Sequence, residues 1–316
     1  MRKGNALLSI EGLTVAFDGA PQPSVDDVSL TIEEGRILGV VGESGCGKTS
    51  LARAVIGELP ARGVIRRGSI HFAGRDLLSV SRKELKALQG VELGMITQEA
   101  LSSLNPVRKI GSQFVQTLCE KMLVSRQEAE RSAREFLEKM SCPEDILSRY
   151  PFQLSGGQRQ RVLVAMAFAL YPRLLLADEP TTALDSAVQM RVLKEMMALK
   201  TNCGASIMLI SHNLGVIAQV CDEVAVMYRG RIVEYGEAKA VMTSPSHPYT
   251  RGLIGSIAYM DCDRNRKLYT IPECRDTIQR PGCIFYSRCE WCAEKCAHEP
   301  PPLRINDRGV LVACSR

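Results

Sequence analysis

A glycine-rich segment behind an apolar run constrains the fold of this chain more than any other stretch. Residues 37–41 are apolar and lead into Gly42-Glu43-Ser44-Gly45-Cys46-Gly47-Lys48-Thr49, and a second apolar stretch follows at 51–56. The spacing fits the pattern G-x-x-x-x-G-K-[ST], in which a strand runs through a loop into a helix. Backbone N–H groups then surround an anion. The segment predicts a nucleoside triphosphate site, with a merely tight strand-to-helix turn as the alternative.

Individual residues of this loop have distinct chemical roles. Gly45 and Gly47 can take backbone conformations that a side chain would forbid. Lys48 would reach the outer phosphates, and the Thr49 hydroxyl would bind Mg²⁺. The predicted nucleotide-binding residues of this segment are Gly42, Glu43, Ser44, Gly45, Cys46, Gly47, Lys48, Thr49 and Ser50.

Length and charge limit the remaining possibilities. A chain of 316 residues suggests one large domain with a smaller appendage. The net charge of +5 is too small to indicate a nucleic-acid partner. The first apolar stretch ends too early for a signal peptide, and the longest, 162–170, is too short to span a bilayer. Any membrane role is therefore expected to depend on partners.

Polar residues stand just past three predicted buried strands. They are Gln98, the pair Asp178 and Glu179, and His212. Ligands bind at the carboxyl ends of strands in open α/β sheets. Asp178 suits a Mg²⁺ ion held beside phosphates, and Glu179 could accept a proton from an attacking water. The alternatives are a loop glutamine, an acidic pair that merely starts a loop, and a structural histidine.

An aromatic residue ends the first predicted strand. Residues 8–17 and 25–32 read as strands with a rough apolar alternation. Phe17 could stack on a nucleotide base, and a core phenylalanine is an equally open alternative.

A helical segment and a second glycine-containing motif follow. Apolar residues recur at helical spacing over 109–122 and 125–140, where Ser125 and Glu128 form a capping box. Next comes Leu154-Ser155-Gly156-Gly157-Gln158 before another helix, which Ser155 can cap. The two glycines leave the first N–H groups of that helix uncovered, so it is a second anion site. Two such sites make sense if the second faces a nucleotide held by another subunit.

Twelve cysteines are distributed unevenly along the chain. Five lie before residue 250 and are expected to pack as small apolar groups. From Cys274 the chain is rich in proline, basic residues and cysteine, so it is expected to need a covalent or metal staple. Thiolates suit an iron–sulfur cluster or tetrahedral Zn²⁺, and free or disulfide-linked thiols remain as a third option.

Together these elements resemble the nucleotide-binding subunit of an ATP-binding cassette (ABC) transporter, from residue 8 to about 256. The features that carry the resemblance, in that family's order and spacing, are the glycine-rich loop, Gln98, Leu154-Ser155-Gly156-Gly157-Gln158, Asp178-Glu179, Asp185 and His212. The resemblance implies an α/β fold of the P-loop NTPase type with an antiparallel β subdomain and a helical subdomain at about 106–172. It divides the chain into an ATP-binding domain, 1–256, and a small Cys-rich C-terminal extension, 257–316.

A narrower resemblance points to importers of oligopeptides, dipeptides or nickel. The stretch from Gln98 to Pro106 and the sequence His247-Pro248-Tyr249-Thr250 look like those found in that branch. Its members often carry four tail cysteines separated by five, six and about 17 residues, which Cys283, Cys289, Cys296 and Cys314 match. The resemblance implies a [4Fe-4S] cluster on these four, with Zn²⁺ as the alternative cofactor. Cys274 or Cys292 could replace one ligand.

The resemblance also implies roles for the site residues. Lys48 would hold the phosphates of MgATP, Thr49 and Asp178 would bind Mg²⁺, and Gln98 would lie between the metal and a transmembrane subunit. Glu179 would be the general base, and His212 would hold the γ-phosphate and water in line. Phe17 would stack on adenine. The residues expected to close over the ATP of the opposite subunit are Ser155, Gly156, Gly157 and Gln158.

The expected partners follow from the same resemblance. They are a second cassette, two permeases and an extracytoplasmic binding protein. The second cassette is expected to be a paralogue, which gives a heterodimer, and not another copy of this chain. This chain is expected to be peripheral on the cytoplasmic face of the membrane. A soluble ABC-type ATPase of iron–sulfur assembly or nucleic-acid repair is the alternative. A regulatory protein that binds ATP without hydrolysing it is a third.

Overall fold

The structure, a computed structural model, describes residues 6–98, 103–181, 185–256, 270–272 and 281–316. Its larger sheet has the strand order β11-β12-β10-β9-β3-β8-β7-β6. Strands β6, β7, β8, β3 and β9 run parallel, and the remaining pairs are antiparallel. Its strands are β3 (Ile37–Val41), β6 (Leu93–Ile96), β7 (Leu174–Asp178), β8 (Ser206–Ile210), β9 (Glu223–Tyr228), β10 (Arg231–Glu237), β11 (Arg304–Ile305) and β12 (Leu311–Val312).

A second, antiparallel sheet is built from the N-terminal part of the chain. Its order is β2-β1-β4-β5, with β1 (Ala6–Phe17), β2 (Val25–Glu33), β4 (Gly63–Phe72) and β5 (Arg75–Asp76). Strand β4 begins at Gly63 because its first half pairs with β1, although its side chains there are largely exposed and give no apolar alternation.

The helices described are α1 (Lys48–Ile56), α2 (Arg82–Leu88), α3 (Ile110–Met122), α4 (Arg126–Lys139), α5 (Gly156–Phe168), α6 (Ser186–Cys203), α7 (Leu214–Val220), α8 (Ala238–Thr243) and α9 (Pro248–Gly255). The predicted capping box of Ser125 and Glu128 is confirmed at the start of α4. Helix α6 ends at a left-handed cap at Gly204. No helix in the described ranges is long and apolar enough to cross a membrane.

The central parallel strands of the larger sheet, β3, β7 and β8, are buried on both faces. Along β7, Leu175 and Ala177 join one apolar cluster with α3 to α6, while Leu174 and Leu176 join another with α1 and the antiparallel sheet. A strand covered on both faces reads as an unbroken apolar run, which is how this segment appears in the sequence. The polar residues that follow the parallel strands therefore lie at one edge of a rigid core.

The C-terminal extension packs on this core. Strand β12 adds to the larger sheet beside β10, where Glu234 pairs with Val312. Phe285, Val310 and Val312 are buried in the same apolar cluster as the strands of the ATP-binding part. The sequence predicted that the tail would need a covalent or metal staple to fold. In the structure these three side chains pack into the core of the ATP-binding part. The predicted boundary between the two domains, at 256/257, falls at the end of a described range, because residues 257–269 lie outside the described residues.

Candidate functional site: a nucleotide-binding edge

The glycine-rich loop between β3 and α1 wraps around a lysine. The Nζ atom of Lys48 donates hydrogen bonds to the carbonyl oxygens of Gly42 and Glu43, both at 2.9 Å. Gly47 has φ +107°, and a Cβ there would lie 2.0 Å from the carbonyl oxygen of Ser24. Only glycine fits this close approach. The loop ends at the N-terminus of α1, where free N–H groups and the helix dipole favour an anion.

A buried carboxylate lies beside this loop. Asp178 ends β7, is 2% exposed and is hydrogen-bonded by the Thr49 side chain. Its Oδ1 atom has no hydrogen-bond partner among the described residues. Burial raises the pKa of Asp178, which the Thr49 hydrogen bond opposes and the charge of Glu179 reinforces. An unpaired buried carboxylate oxygen next to a hydroxyl fits a hard divalent cation, so Thr49 and Asp178 could hold Mg²⁺.

Three predicted strand-end residues meet at one carboxylate. Gln98 Nε2 donates to Oε2 of Glu179 at 3.1 Å, and Nδ1 of His212 lies 3.5 Å from the same oxygen. The Glu179 side chain is 16% exposed, whereas that of His212 is 60% exposed. The arrangement is what a base for an incoming water needs, because the carboxylate is oriented by neighbours and reachable from one side.

Glu179 itself has an unusual backbone. Its φ is +48°, and its N–H donates to the carbonyl oxygen of Ile210 on β8. A non-glycine residue in this region costs about 1–3 kcal/mol, and such strain concentrates at functional sites. Glu179 thus leaves the extended backbone conformation of β7, which ends at Asp178.

Phe17 and the second glycine motif lie where the sequence placed them. Phe17 ends β1, is half-buried and packs over Gly63, so both interpretations, a residue that stacks on a base and a core phenylalanine, stay open.

The second glycine motif begins helix α5, which Ser155 caps. The Ser155 hydroxyl accepts a hydrogen bond from the Gln158 N–H at 3.2 Å, and Gln158 Oε1 accepts one from the Ser155 N–H at 3.0 Å. Gly156 and Gly157 form the first turn of this exposed helix start.

Asn213, next to His212, makes hydrogen bonds to two helices. Its Oδ1 accepts from the Val216 N–H at the start of α7, and its Nδ2 donates to Gln189 of α6. An amide thus caps α7 as an aspartate would and gains a donor.

Sequence reasoning missed the residues that hold the outer side of the glycine-rich loop. The Glu43 N–H donates to Tyr249 Oη at 2.9 Å, and the Glu43 carboxylate accepts from both terminal nitrogens of Arg288 at 2.8 and 2.9 Å. The only available signals were the position of Tyr249 in His247-Pro248-Tyr249-Thr250 and that of Arg288 beside a cysteine.

The tail cysteines gather around one small apolar cavity of about 30 Å³. The cysteines that line it are Cys283, Cys289, Cys292, Cys296 and Cys314. Burial, with smaller contributions from the nearby Cys296, Cys289 and Cys314, raises the pKa of Cys283 to about 11. Even so, no group of three or more His, Cys, Asp or Glu side chains in the described ranges is arranged to hold a metal ion. The predicted cluster is therefore not seen as a formed site, and Cys274 lies outside the described residues.

Comparisons with known proteins identify the family of this chain. The profile of the ABC transporter family matches residues 25–182, and that of the oligopeptide/dipeptide transporter C-terminal region matches 233–296. The oligopeptide transport ATP-binding protein OppD of Salmonella typhimurium is 39% identical over 317 residues, covering 98% of this chain and 93% of OppD. The dipeptide transport ATP-binding protein DppD of Escherichia coli is 35% identical, covering 98% of this chain and 96% of DppD.

Solved structures share the fold. A dimeric ATP-binding cassette in a post-hydrolysis state with ADP and Pi matches with a TM-score of 0.66 at 23% identity, over 73% of this chain and 99% of that one. The relatives are named for transport, so the alternative of a soluble ATPase in iron–sulfur assembly or repair is not supported. The chain belongs to the ATP-hydrolysing, ATP-binding subunits of ABC transporters, in the oligopeptide and dipeptide branch.

Proposed function

We propose that this chain supplies the energy for peptide import through partner permeases. One observation carries the choice of cargo: the segment that matches the oligopeptide/dipeptide C-terminal region, residues 233–296, is integral to the fold, since it includes most of strand β10 in the larger sheet and buries Phe285 in the core. Relatives named for oligopeptide and dipeptide transport are similar over nearly the whole chain. Nickel-like cargo is the second candidate, from the branch resemblance.

Reconstitution tests the cargo. The chain, its permeases and its extracytoplasmic binding protein would be placed in vesicles, and ATP hydrolysis measured with di- and oligopeptides or with Ni²⁺. Peptides should stimulate hydrolysis and enter the vesicles. Stimulation by Ni²⁺ alone would move the assignment to the second candidate.

Each site residue takes a role consistent with its position. Lys48, at the centre of the loop, would bind the β- and γ-phosphates, and Thr49 with Asp178 would hold Mg²⁺. When bound, the ion would neutralise phosphate charge. Glu179 would take the proton of the attacking water, and His212 and Gln98 would orient that water and the carboxylate. Phe17 would stack on adenine.

Catalysis by this chain is proposed to need a second cassette. The exposed start of α5, capped by Ser155, would bind the γ-phosphate of ATP held in the other subunit through its N–H groups. We expect a paralogue as partner, two permeases, and a peripheral location on the cytoplasmic side of the membrane. Pairing this chain with each candidate cassette and following ATP-dependent association by light scattering would identify the partner. Association with itself alone would contradict the heterodimer.

A [4Fe-4S] centre is proposed for the extension. Cysteine-only donors around a small apolar cavity suit iron–sulfur ligation, and Zn²⁺ is the alternative. Anaerobically purified protein would be analysed for iron, sulfide and zinc, and by visible absorption. Cys289→Ser should lose the metal, whereas Cys119→Ser, in α3 and outside the extension, is the control that should keep it. Wild-type protein without bound metal would contradict both the [4Fe-4S] centre and the Zn²⁺ alternative.

A further inference from the structure

Glu43 of the glycine-rich loop is held from two sides at once. From inside the loop, Lys48 Nζ donates to its carbonyl oxygen at 2.9 Å. From outside, its N–H donates to Tyr249 Oη, and its carboxylate receives the guanidinium of Arg288. All polar groups of Glu43 are thus engaged, and the two outer partners come from residues that follow the last parallel strand.

The Arg288 guanidinium is built into this position. Its two terminal nitrogens bind the two oxygens of Glu43, Nε donates to the carbonyl oxygen of Pro272 at 2.7 Å, and the group lies 5.8 Å from the ring centroid of Tyr228. Its side chain is only 15% exposed. A fork-to-fork pair of this kind fixes orientation as well as distance. A lysine could satisfy one oxygen but not both.

The segment that carries Arg288 is bracketed by two of the proposed metal ligands. Cys283 and Cys289 stand at its ends, and residues 286–288 between them form a single 3₁₀ turn. The Cys283 N–H donates to the Cys296 carbonyl oxygen at 2.7 Å, so the segment is also tied to a third cysteine. Any change that draws these thiols together acts directly on the backbone of Arg288.

A cluster of aromatic rings connects the segment that carries Arg288 to the ATP-binding part. Phe285 is 3% exposed and packs edge-on against Tyr228, with ring centroids 5.2 Å apart. Its ring also contacts that of Tyr249 at a tilt of 59°, with centroids 5.5 Å apart. Tyr249 is the residue whose hydroxyl accepts from the Glu43 N–H. Close-packed aromatics leave little room for independent motion, so Arg288 and Tyr249 are held as one unit.

We propose that the cysteine-rich extension is a positioning element of the nucleotide site: Arg288 holds Glu43, and metal loading of the flanking thiols sets how firmly it does so. Arg288 touches neither phosphate nor metal in this scheme. It acts through Glu43, whose carbonyl is a hydrogen-bond acceptor for Lys48. The dependence on metal rests on the centre proposed above; the contact between Arg288 and Glu43 does not.

The first test measures MgADP affinity of the full chain by calorimetry, since ADP occupies the loop without turnover. Arg288→Met should raise the dissociation constant about tenfold, as expected for losing a charge-assisted bidentate pair. Arg288→Lys should recover part of the loss. Arg308→Met, which removes an exposed arginine of the same extension bonded to the Ser244 carbonyl, is the control and should leave it unchanged.

A double-mutant cycle separates positioning from general loss of structure. Glu43→Gln removes the same pair from the loop side, and Arg288→Met combined with Glu43→Gln should weaken MgADP no more than either change alone. Additive losses, or an Arg288→Met affinity within about twofold of wild type, would overturn the proposal. If Arg288→Met does not fold, Arg288→Lys and Glu43→Gln complete the cycle.

The second test compares metal-loaded with chelator-treated protein. Removing the metal should weaken MgADP binding several-fold in the wild type and have no further effect in Arg288→Met. An equal effect in both would overturn the coupling through Arg288. Protein that binds MgADP but never metal would refute the proposed centre and with it the metal dependence, while the first test still decides on Arg288.

Discussion

Gln98 Nε2 donates a hydrogen bond to Glu179 Oε2 at 3.1 Å, although 81 positions separate the two residues in the sequence. They meet because β6 and β7 are adjacent parallel strands, so their carboxyl ends share one edge. His212 reaches the same oxygen from the end of β8. The pair therefore joins the ends of two neighbouring strands at the proposed general base.

Replacing Asp178 with Asn should separate stability from nucleotide response. Burial opposes the charge of Asp178, so Asp178→Asn in the absence of ligand should unfold at the same temperature as wild type or higher. The added stability from MgATP should be lost, which is about 2.7 kcal/mol at a ligand concentration 100 times the dissociation constant. Thermal unfolding with MgATP, and with ATP plus chelator, measures both. A variant that keeps the full MgATP shift would remove Asp178 from the metal site.

Two glycines of the loop should respond differently to alanine. At Gly47 a Cβ would lie 2.0 Å from the Ser24 carbonyl oxygen, whereas at Gly45 nothing lies within 4 Å of it. Both have positive φ, so Gly45→Ala should cost on the order of 1 kcal/mol and Gly47→Ala distinctly more. Chemical denaturation and MgADP titration provide the comparison. Equal losses at the two positions would mean that the close approach to Ser24 has no energetic weight.

His247 should make stability depend on pH. Burial lowers the pKa of His247 from 6.5 to about 4, so the unfolded chain binds a proton that the folded chain does not. The free energy of unfolding should therefore fall as pH drops from about 6.5 to about 4, by roughly 3 kcal/mol.

A matched variant isolates this effect. Nδ1 of His247 accepts from the Tyr249 N–H, and asparagine can supply an acceptor at the same helix start. His247→Asn should be less stable at neutral pH because it fills less space, but its denaturation midpoint should vary less between pH 7 and 4. A wild-type slope retained in the variant would assign the titration to another group.

Much of the nucleotide site could be predicted from sequence because its residues lie in short contiguous motifs. Lys48, Asp178 and His212 each follow an apolar run, and parallel strands bring such positions to one edge whatever the rest of the chain does. The capping boxes of Ser125 and Ser155 are equally local, since each needs residues only three positions apart.

The contacts of the extension could not be predicted in this way. Arg288 and Glu43 are 245 positions apart, and nothing in either neighbourhood specifies the other. Strands β11 and β12 have two residues each, too few to show an alternating pattern. Their pairing depends on an edge that only the folded sheet offers.

The central claim is that Glu179 activates the attacking water. It is tested most directly by the rate of ATP hydrolysis of the Glu179→Gln variant, compared with wild type, each in complex with the partner cassette. The substitution keeps the size of the side chain and removes its capacity to take a proton. Hydrolysis should fall by about 10²–10⁴-fold while ATP binding and ATP-dependent pairing of the cassettes persist. Hydrolysis at the wild-type rate would contradict the account, because water would then be activated by something other than the carboxylate that Gln98 and His212 surround.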